Sequence, residues 1–388
     1  MELGKNPIRT IRNTKFLETS MNQLANQICL LTTVVLATIQ TSCAPIGELN
    51  ESHDRSASEV TRNDVSGGSS KWVTNHSDPV LSQVESAMEL IEQREVLITN
   101  GFWTVTHGIL GVGPRLTLYD PETEQRVNAL DCIRHGGPLR GLRFIPTEYG
   151  VDVPNGPMYI GQGHVDQFVA ELVQVGVSPD TEFVIQGTRY TLLDFIHEAQ
   201  SRVRPTGDQE LSWTIVAIGQ CLGTNGSWTN RFGETVRFED LVRNELDQEV
   251  EHAACGGVHR LFGLAWVHQL HLSSGGEDVG VWQEIPEKMS AYERRARAWQ
   301  NPDGSFSTLS FRGVGNDPDL QVRISTTGHV FEWLALCLTD EELRQSWVSN
   351  AAGALSEMII TSREVSIDAG ALYHALHGLR MYAARQPK

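Results

Sequence analysis

From about residue 81 the chain alternates between two kinds of helical stretch. Six are apolar almost throughout after a polar or Gly/His entry: NGFWTVTHGILG from Asn100, GQGHVDQFVAELVQVG from Gly161, QELSWTIVAIGQCLG from Gln209, CGGVHRLFGLAWVHQL from Cys255, TTGHVFEWLALCL from Thr326 and GALYHALHGLRMY from Gly370. Between them lie stretches with a single apolar stripe, such as TLLDFIHEAQSRV, RFEDLVRNEL, YERRARAWQ and DEELRQSWVSNAAGALSEMI. A helix that is apolar all round must be covered on most sides, whereas a striped one covers its neighbour and faces water. With His107, His164, Trp213, His259, His329 and His374 as markers, the apolar stretches recur every 45 to 70 residues, room for two helices and their loops. The pattern predicts an all-α protein, an (α/α)6 toroid over residues 81–388 with the apolar helices inside. At most one short β-hairpin is expected, over residues 182–190 (EFVIQGTRY), turning at Gln186-Gly187. An open solenoid of the same helical hairpins is the alternative.

The N-terminal part reads differently. Lys5, Arg9, Arg12 and Lys15 precede an apolar run over 28–39 (ICLLTTVVLATI) and the tripeptide Thr41-Ser42-Cys43, the order of parts in a signal peptide or, with Cys43 as the lipidated residue, a lipoprotein signal. An uncleaved N-terminal anchor is the alternative. Residues 44–80 are rich in Ser, Asn, Asp, Glu and Gly and lack apolar periodicity, which predicts a flexible tether. The expected destination is outside the cytoplasm, periplasmic or at the cell surface, with membrane contact only through the N-terminus.

Charge narrows the partners. Forty-eight acidic against 31 basic side chains give a net charge of −17, which repels a phosphate backbone and argues against nucleic acid as a partner. Beyond the signal, Cys132, Cys221, Cys255 and Cys337 remain, open to disulfide pairing, and no C-x-x-C pair occurs. That spacing excludes zinc ribbons and thioredoxin-like redox centres.

The run Trp299-Gln300-Asn301-Pro302-Asp303-Gly304-Ser305-Phe306 resembles the Q-x-x-D-G-S-W/F motif of the terpenoid cyclase and protein prenyltransferase superfamily, and Thr326-Thr327-Gly328 leading into His329 is similar to the threonine-started inner helix that follows it. The resemblance implies the α/α toroid fold and a lipid-like or peptide substrate. The reactions do not carry over with it: Asp317-Pro318-Asp319 stands where an Asp-rich acid motif is needed, and there is no Asp-x-Cys pair for the prenyltransferase zinc. The ACGGxHRL and TTGHxxEWL runs also resemble signatures of a family of exported, planctomycete-like bacterial proteins.

In such a ring the inner helices begin at one mouth, and their entries carry His107, His164 with Asp166, Glu210 with Trp213, Cys255 with His259, His329 with Glu332, and Tyr373 with His374. Cys255 and His259, four apart, are expected on one helix face, and His329 from the next unit would complete a three-ligand metal site with an open fourth position, for which zinc is suited. Glu332, His164, Asp166 and His374 are the candidate acid–base residues. The bland reading makes the histidines a hydrogen-bonded lining and Cys255 a buried hydrophobe or half of a disulfide. Three functions fit: a metal-dependent enzyme of cyclase or transferase type, a non-catalytic toroid binding a small-molecule, lipid-like or glycan ligand, or a polysaccharide lyase or hydrolase. The oligomeric state is not legible.

Overall fold

The computed structural model describes residues 78–156 and 161–387; the signal over 1–43 and all but the end of the 44–80 tether lie outside the described residues. From Pro79 onward the chain folds as one unit. It is mostly helical: α1 (Pro79–Glu92), α2 (Phe102–Val112), α3 (Ala129–Arg134), α4 (Gln167–Gln174), α5 (Leu192–Arg202), α6 (Ser212–Leu222), α7 (Phe238–Asp247), α8 (Val258–Ser273), α9 (Val281–Ala298), α10 (Leu320–Cys337), α11 (Asp340–Leu343), α12 (Ser346–Thr361) and α13 (Ala369–Ala384). Among the described residues no helix is long and apolar enough to cross a membrane.

The two kinds of stretch are two kinds of helix. All eight residues of α4 are buried, as are nine of the eleven in α2 and in α6. By contrast α7 buries Phe238, Leu241, Val242, Glu245 and Leu246, the i, i+3, i+4, i+7, i+8 stripe of a helix with one side in water. The more deeply buried helices pack in sequence, α2 on α4, α4 on α6, α6 on α8, α8 on α10, α10 on α13, and α13 again on α2. The striped helices lie against them: α5 on α6, α7 on α6 and α8, α9 on α8, and α12 on α10. The α10–α13 crossing is very close. A Cβ on Gly378 would stand 2.8 Å from the Glu332 Cα, so only glycine lets the two backbones approach there.

Four antiparallel hairpins, not one, connect the helices. The expected hairpin is present as β5 (Glu182–Ile185) with β6 (Thr188–Thr191), turning through Gln186 and Gly187 at φ +51° and +81°. The others pair β1 (Thr117–Asp120) with β2 (Gln125–Asn128), β3 (Ile145–Pro146) with β4 (Val151–Asp152), and β7 (Ser227–Thr229) with β8 (Thr235–Arg237). They escape a sequence reading because strands of two to four residues, largely polar, carry almost no alternation. Three of the four run directly into a striped helix, with Asn128, Thr191 and Arg237 as the N-caps of α3, α5 and α7.

The 299–306 run behaves as its residues require. α9 stops at Ala298, the Gly304 amide donates to the Asn301 carbonyl at 2.9 Å, and Gln300 Nε2 donates to the carbonyls of Gly304 and Trp347, both at 2.8 Å. Phe306 is buried edge-on against Trp347 of α12, 6.2 Å between ring centres.

Candidate metal centre

The chain does not enter α8 as one continuous helix. Ala254–Gly257 is a 3-10 turn in which Cys255, Gly256 and Gly257 take positive φ (51°, 66° and 81°), and α8 begins at Val258. The expectation that Cys255 and His259 share a helix face is therefore wrong: two glycines in succession break the helix between them. Gly257 has no alternative, because a Cβ there would fall 2.0 Å from the Val250 carbonyl oxygen. The kink nevertheless returns the Cys255 side chain over the start of α8.

Cys255 is exposed and free; Cys132, Cys221 and Cys337 are also free but partly or fully buried, so no disulfide forms among the described cysteines. Its Sγ lies 3.8 Å from His164 Nε2, and His164 Nδ1 lies 2.7 Å from Glu210 Oε1. The His164 and His259 rings meet at right angles, 4.8 Å between centres. One donor atom each from His164, Cys255 and His259 all lie within 4.8 Å of one another. Burial alone would push the Cys255 thiol up, but His259, His164 and His329 outweigh it and hold it well below its ordinary value. His164 is driven the other way, to about 10: burial lowers it and its bonds to Cys255 and Glu210 more than restore the charge.

Beneath this pair the histidines continue inward. His329 and His374 stand 4.3 Å apart, His259 and His329 5.2 Å, and His107 and His374 5.3 Å between ring centres. His259, His329 and His374 can bring three nitrogens within 4.8 Å of one another, and so can His107 and His374 with a carboxylate oxygen of Glu171. His329 reaches this place from the middle of α10, since the helix begins nine residues earlier, capped by the Asp319 carboxylate, which accepts from the Gln321 amide. It is not a helix entry, and the N-terminal dipole does not act on it.

The outward nitrogens of His107, His329 and His374 are occupied. His107 Nδ1 lies 2.7 Å from the Trp103 carbonyl and His329 Nδ1 2.7 Å from the Ser325 carbonyl. His374 Nδ1 is 2.7 Å from Glu332 Oε2, whose other oxygen takes His377 Nδ1 at 2.7 Å. A nitrogen facing a carbonyl or carboxylate must carry the proton, which leaves Nε2 as the lone-pair atom aimed inward. Of the inward atoms, both His259 nitrogens, His374 Nε2 and both Glu171 oxygens are buried without a hydrogen-bond partner. Each such orphan costs about 1–3 kcal/mol, so several in one chamber call for a ligand.

Electrostatics follow burial. Glu171 is pushed well above the carboxylate range, His107 well below the imidazole range, and His374 down to about 4, each chiefly by desolvation. Glu332 goes down despite its burial, because His374 and His377 hold its charge. It is a clamp on two imidazoles, with both oxygens engaged, and not a free base. Asp166 caps α4 at φ +60° and is bound by Arg202 and by Thr214 Oγ1 at 2.6 Å, away from the imidazoles.

Sequence reasoning passed over Glu171. Its signal was a carboxylate inside an otherwise apolar helix, FVAELVQ, where a charge has no business unless it has a task. A cavity of about 460 Å³ opens beside the cluster, lined by Asp208, Gln209, Glu210, Ser212, Glu249 and His259 among others. Compared with protein-family profiles, curated proteins and solved structures, the chain matches none.

Proposed function

We propose that residues from Pro79 onward form an (α/α)6 toroid whose mouth holds a zinc-type metal on Cys255, His164 and His259, and that the protein is a metal-dependent hydrolase of a polar substrate. The closed order of helix contacts, with α13 returning to α2, supports the ring. The observation that carries the metal is the convergence of a cysteine sulfur and two imidazoles within 4.8 Å of one another, with Glu210 holding the far nitrogen of His164. Carboxylate–histidine pairs of that kind orient metal ligands. His164 takes the place of the expected His329 in this set because its donor atom, with those of Cys255 and His259, falls within 4.8 Å of the others, while His329 keeps a contact with the Cys255 sulfur and is also grouped with His259 and His374.

A thiolate with imidazoles suits zinc better than magnesium or calcium. Three protein ligands leave a position for water, and a metal there supplies a Lewis acid and lowers the pKa of that water to about 7. The 460 Å³ cavity adjoins the open side, and its acidic and amide lining favours a polar, peptide- or sugar-like substrate over a lipid-like one. The N-terminal pattern supports a setting outside the cytoplasm with Cys43 as a lipid anchor.

Elemental analysis tests the reading. The purified chain should carry zinc at the outer set, and Cys255→Ser or His164→Ala should remove that zinc while circular dichroism stays unchanged. Zinc binding no tighter than in those variants overturns it. One observation favours a second reading: exposed Cys255 at a positive φ, with His164 and Glu210 in line behind it, is the geometry of a thiol nucleophile. Zinc that inhibits the chain's activity, rather than restoring it, decides for the nucleophile.

A further inference from the structure

Three ligand groups occur in the chamber, but two of them have no residue in common. His164, Cys255 and His259 form the outer one; His107, Glu171 and His374 form the inner one; His329 stands between, grouped with His259 and His374. We infer that the chamber takes two metal ions, an outer one on His164, Cys255 and His259 and an inner one on His107, Glu171 and His374. The inference rests on the metal reading of the outer set and adds a second ion to it.

The inner group has what a built site needs. Glu171 is fully buried, and neither carboxylate oxygen has a hydrogen-bond partner at normal distance; His107 Nε2 lies 3.4 Å from Oε1. His374 is 1% exposed and its Nε2 is also unpartnered. Both histidines are held from behind, His107 by the Trp103 carbonyl and His374 by Glu332, so that both Nε2 atoms face Glu171. Gln167 Nε2, 3.1 Å from His107 Nε2, is a hydrogen-bonding group that a metal would displace.

The elements also explain why the two sites belong together. His259 of α8 and His374 of α13 bring their nitrogens within 4.8 Å of each other. Ions bound about 2.0–2.1 Å from those nitrogens fit the spacing of about 3.5–4 Å at which two metals act on one substrate. The donor sets differ in kind: two imidazoles and a thiolate outside, two imidazoles and a carboxylate inside. The outer set favours zinc, and the inner one accepts harder divalent ions as well.

The difference makes each site readable on its own. The full chain, stripped with a chelator, is titrated with Co(II) and followed by native mass spectrometry and absorption. Two cobalt ions per chain are expected, one of them with thiolate-to-cobalt charge transfer in the near ultraviolet. Glu171→Gln, an isosteric change, should bind one ion and keep that band; Cys255→Ser should bind one ion and lack it. A single ion in the wild type, kept by Glu171→Gln and lost by Cys255→Ser, overturns the second site and leaves the outer one standing. A single ion lost by Glu171→Gln and kept by Cys255→Ser overturns the pair and the outer site together. No ion at all overturns both proposals. If a variant fails to fold, the wild-type count of two or fewer is already decisive.

Discussion

Glu332 of α10 and His374 of α13 share a 2.7 Å hydrogen bond across the close α10–α13 crossing, with Glu332 Oε1 bonded equally closely to His377. Both partners of the first bond are buried, at 2% and 1% exposure. One carboxylate therefore sets the tautomer and angle of two imidazoles. Glu332→Ala should cost about 1.5–3 kcal/mol, the worth of a hydrogen bond to a charged group, measured by urea unfolding of the metal-free chain. It should also weaken inner-site cobalt binding by about 10–100-fold, while the thiolate band of the outer site stays.

Cysteine chemistry separates the exposed thiol from the buried ones. Burial pushes the Cys221 thiol up to about 12 and raises Cys337 further, while Cys255 is exposed and held low. Iodoacetamide on the metal-free protein should label Cys255 first, and zinc should protect it. Peptide mass mapping over time checks the order; Cys221 labelled as fast as Cys255 would contradict the burial on which it depends.

The six more deeply buried helices were legible because burial on most sides demands an apolar run, and such runs survive in sequence as blocks. The striped helices showed as stripes for the complementary reason. Three of the four hairpins were hidden by their brevity. At the site, the residues were legible and their carriers were not. His259 and Cys255 sit four apart, which reads as a helix face until Gly256-Gly257 is weighed as a break. His329 follows Thr326-Thr327-Gly328, which reads as a helix start, yet Asp319 caps the helix seven residues before Thr326. Glu171 was legible in principle: a charge inside FVAELVQ is a stronger signal than any histidine spacing.

Gly257→Ala tests whether the kink places the thiol. The substitution puts a Cβ into the Val250 carbonyl at a φ of +81°, where L residues are strained. A cost of about 2 kcal/mol or more is expected, together with loss of the thiolate–cobalt band and retention of the inner ion. A retained band would mean that Cys255 reaches the metal by another backbone path.

The pH dependence of the 301–304 turn has a definite sign. Burial alone would raise Asp303, but the Ser305 hydroxyl at 2.7 Å, its amide at 3.0 Å and Arg323 together hold it below the usual carboxylate range. A carboxyl depressed in the folded state contributes stability above its unfolded value, about 3.9, and loses it as the pH falls through the folded one. Asp303→Ala should therefore cost about 1 kcal/mol at pH 7, and the gap to wild type should close as the pH falls through the depressed folded value. Paired thermal melts across that range measure it. A gap that is constant with pH would assign the cost to packing instead.

Glu171→Gln sets stability against binding. In the metal-free chain the carboxylate is buried with no hydrogen-bond partner on either oxygen, beside His107 and His374. An amide of the same shape never ionises and fills the same space beside His107, whose Nε2 lies 3.4 Å from Oε1 in the parent structure. Burial raises the Glu171 carboxyl well above the carboxylate range, and an acid raised in the folded state costs stability at neutral pH, where the unfolded chain ionises it; an amide carries no such cost, so metal-free Glu171→Gln should melt higher than metal-free wild type, by the equivalent of about 1–3 kcal/mol. Saturating cobalt should reverse the order, because binding to the folded state alone stabilises in proportion to the logarithm of ligand over dissociation constant, and the variant has lost a ligand. The crossing of the two pairs of melting curves is the measurement. A variant less stable than wild type in both states would make Glu171 a structural residue, and the inner site would lose the carboxylate on which it depends.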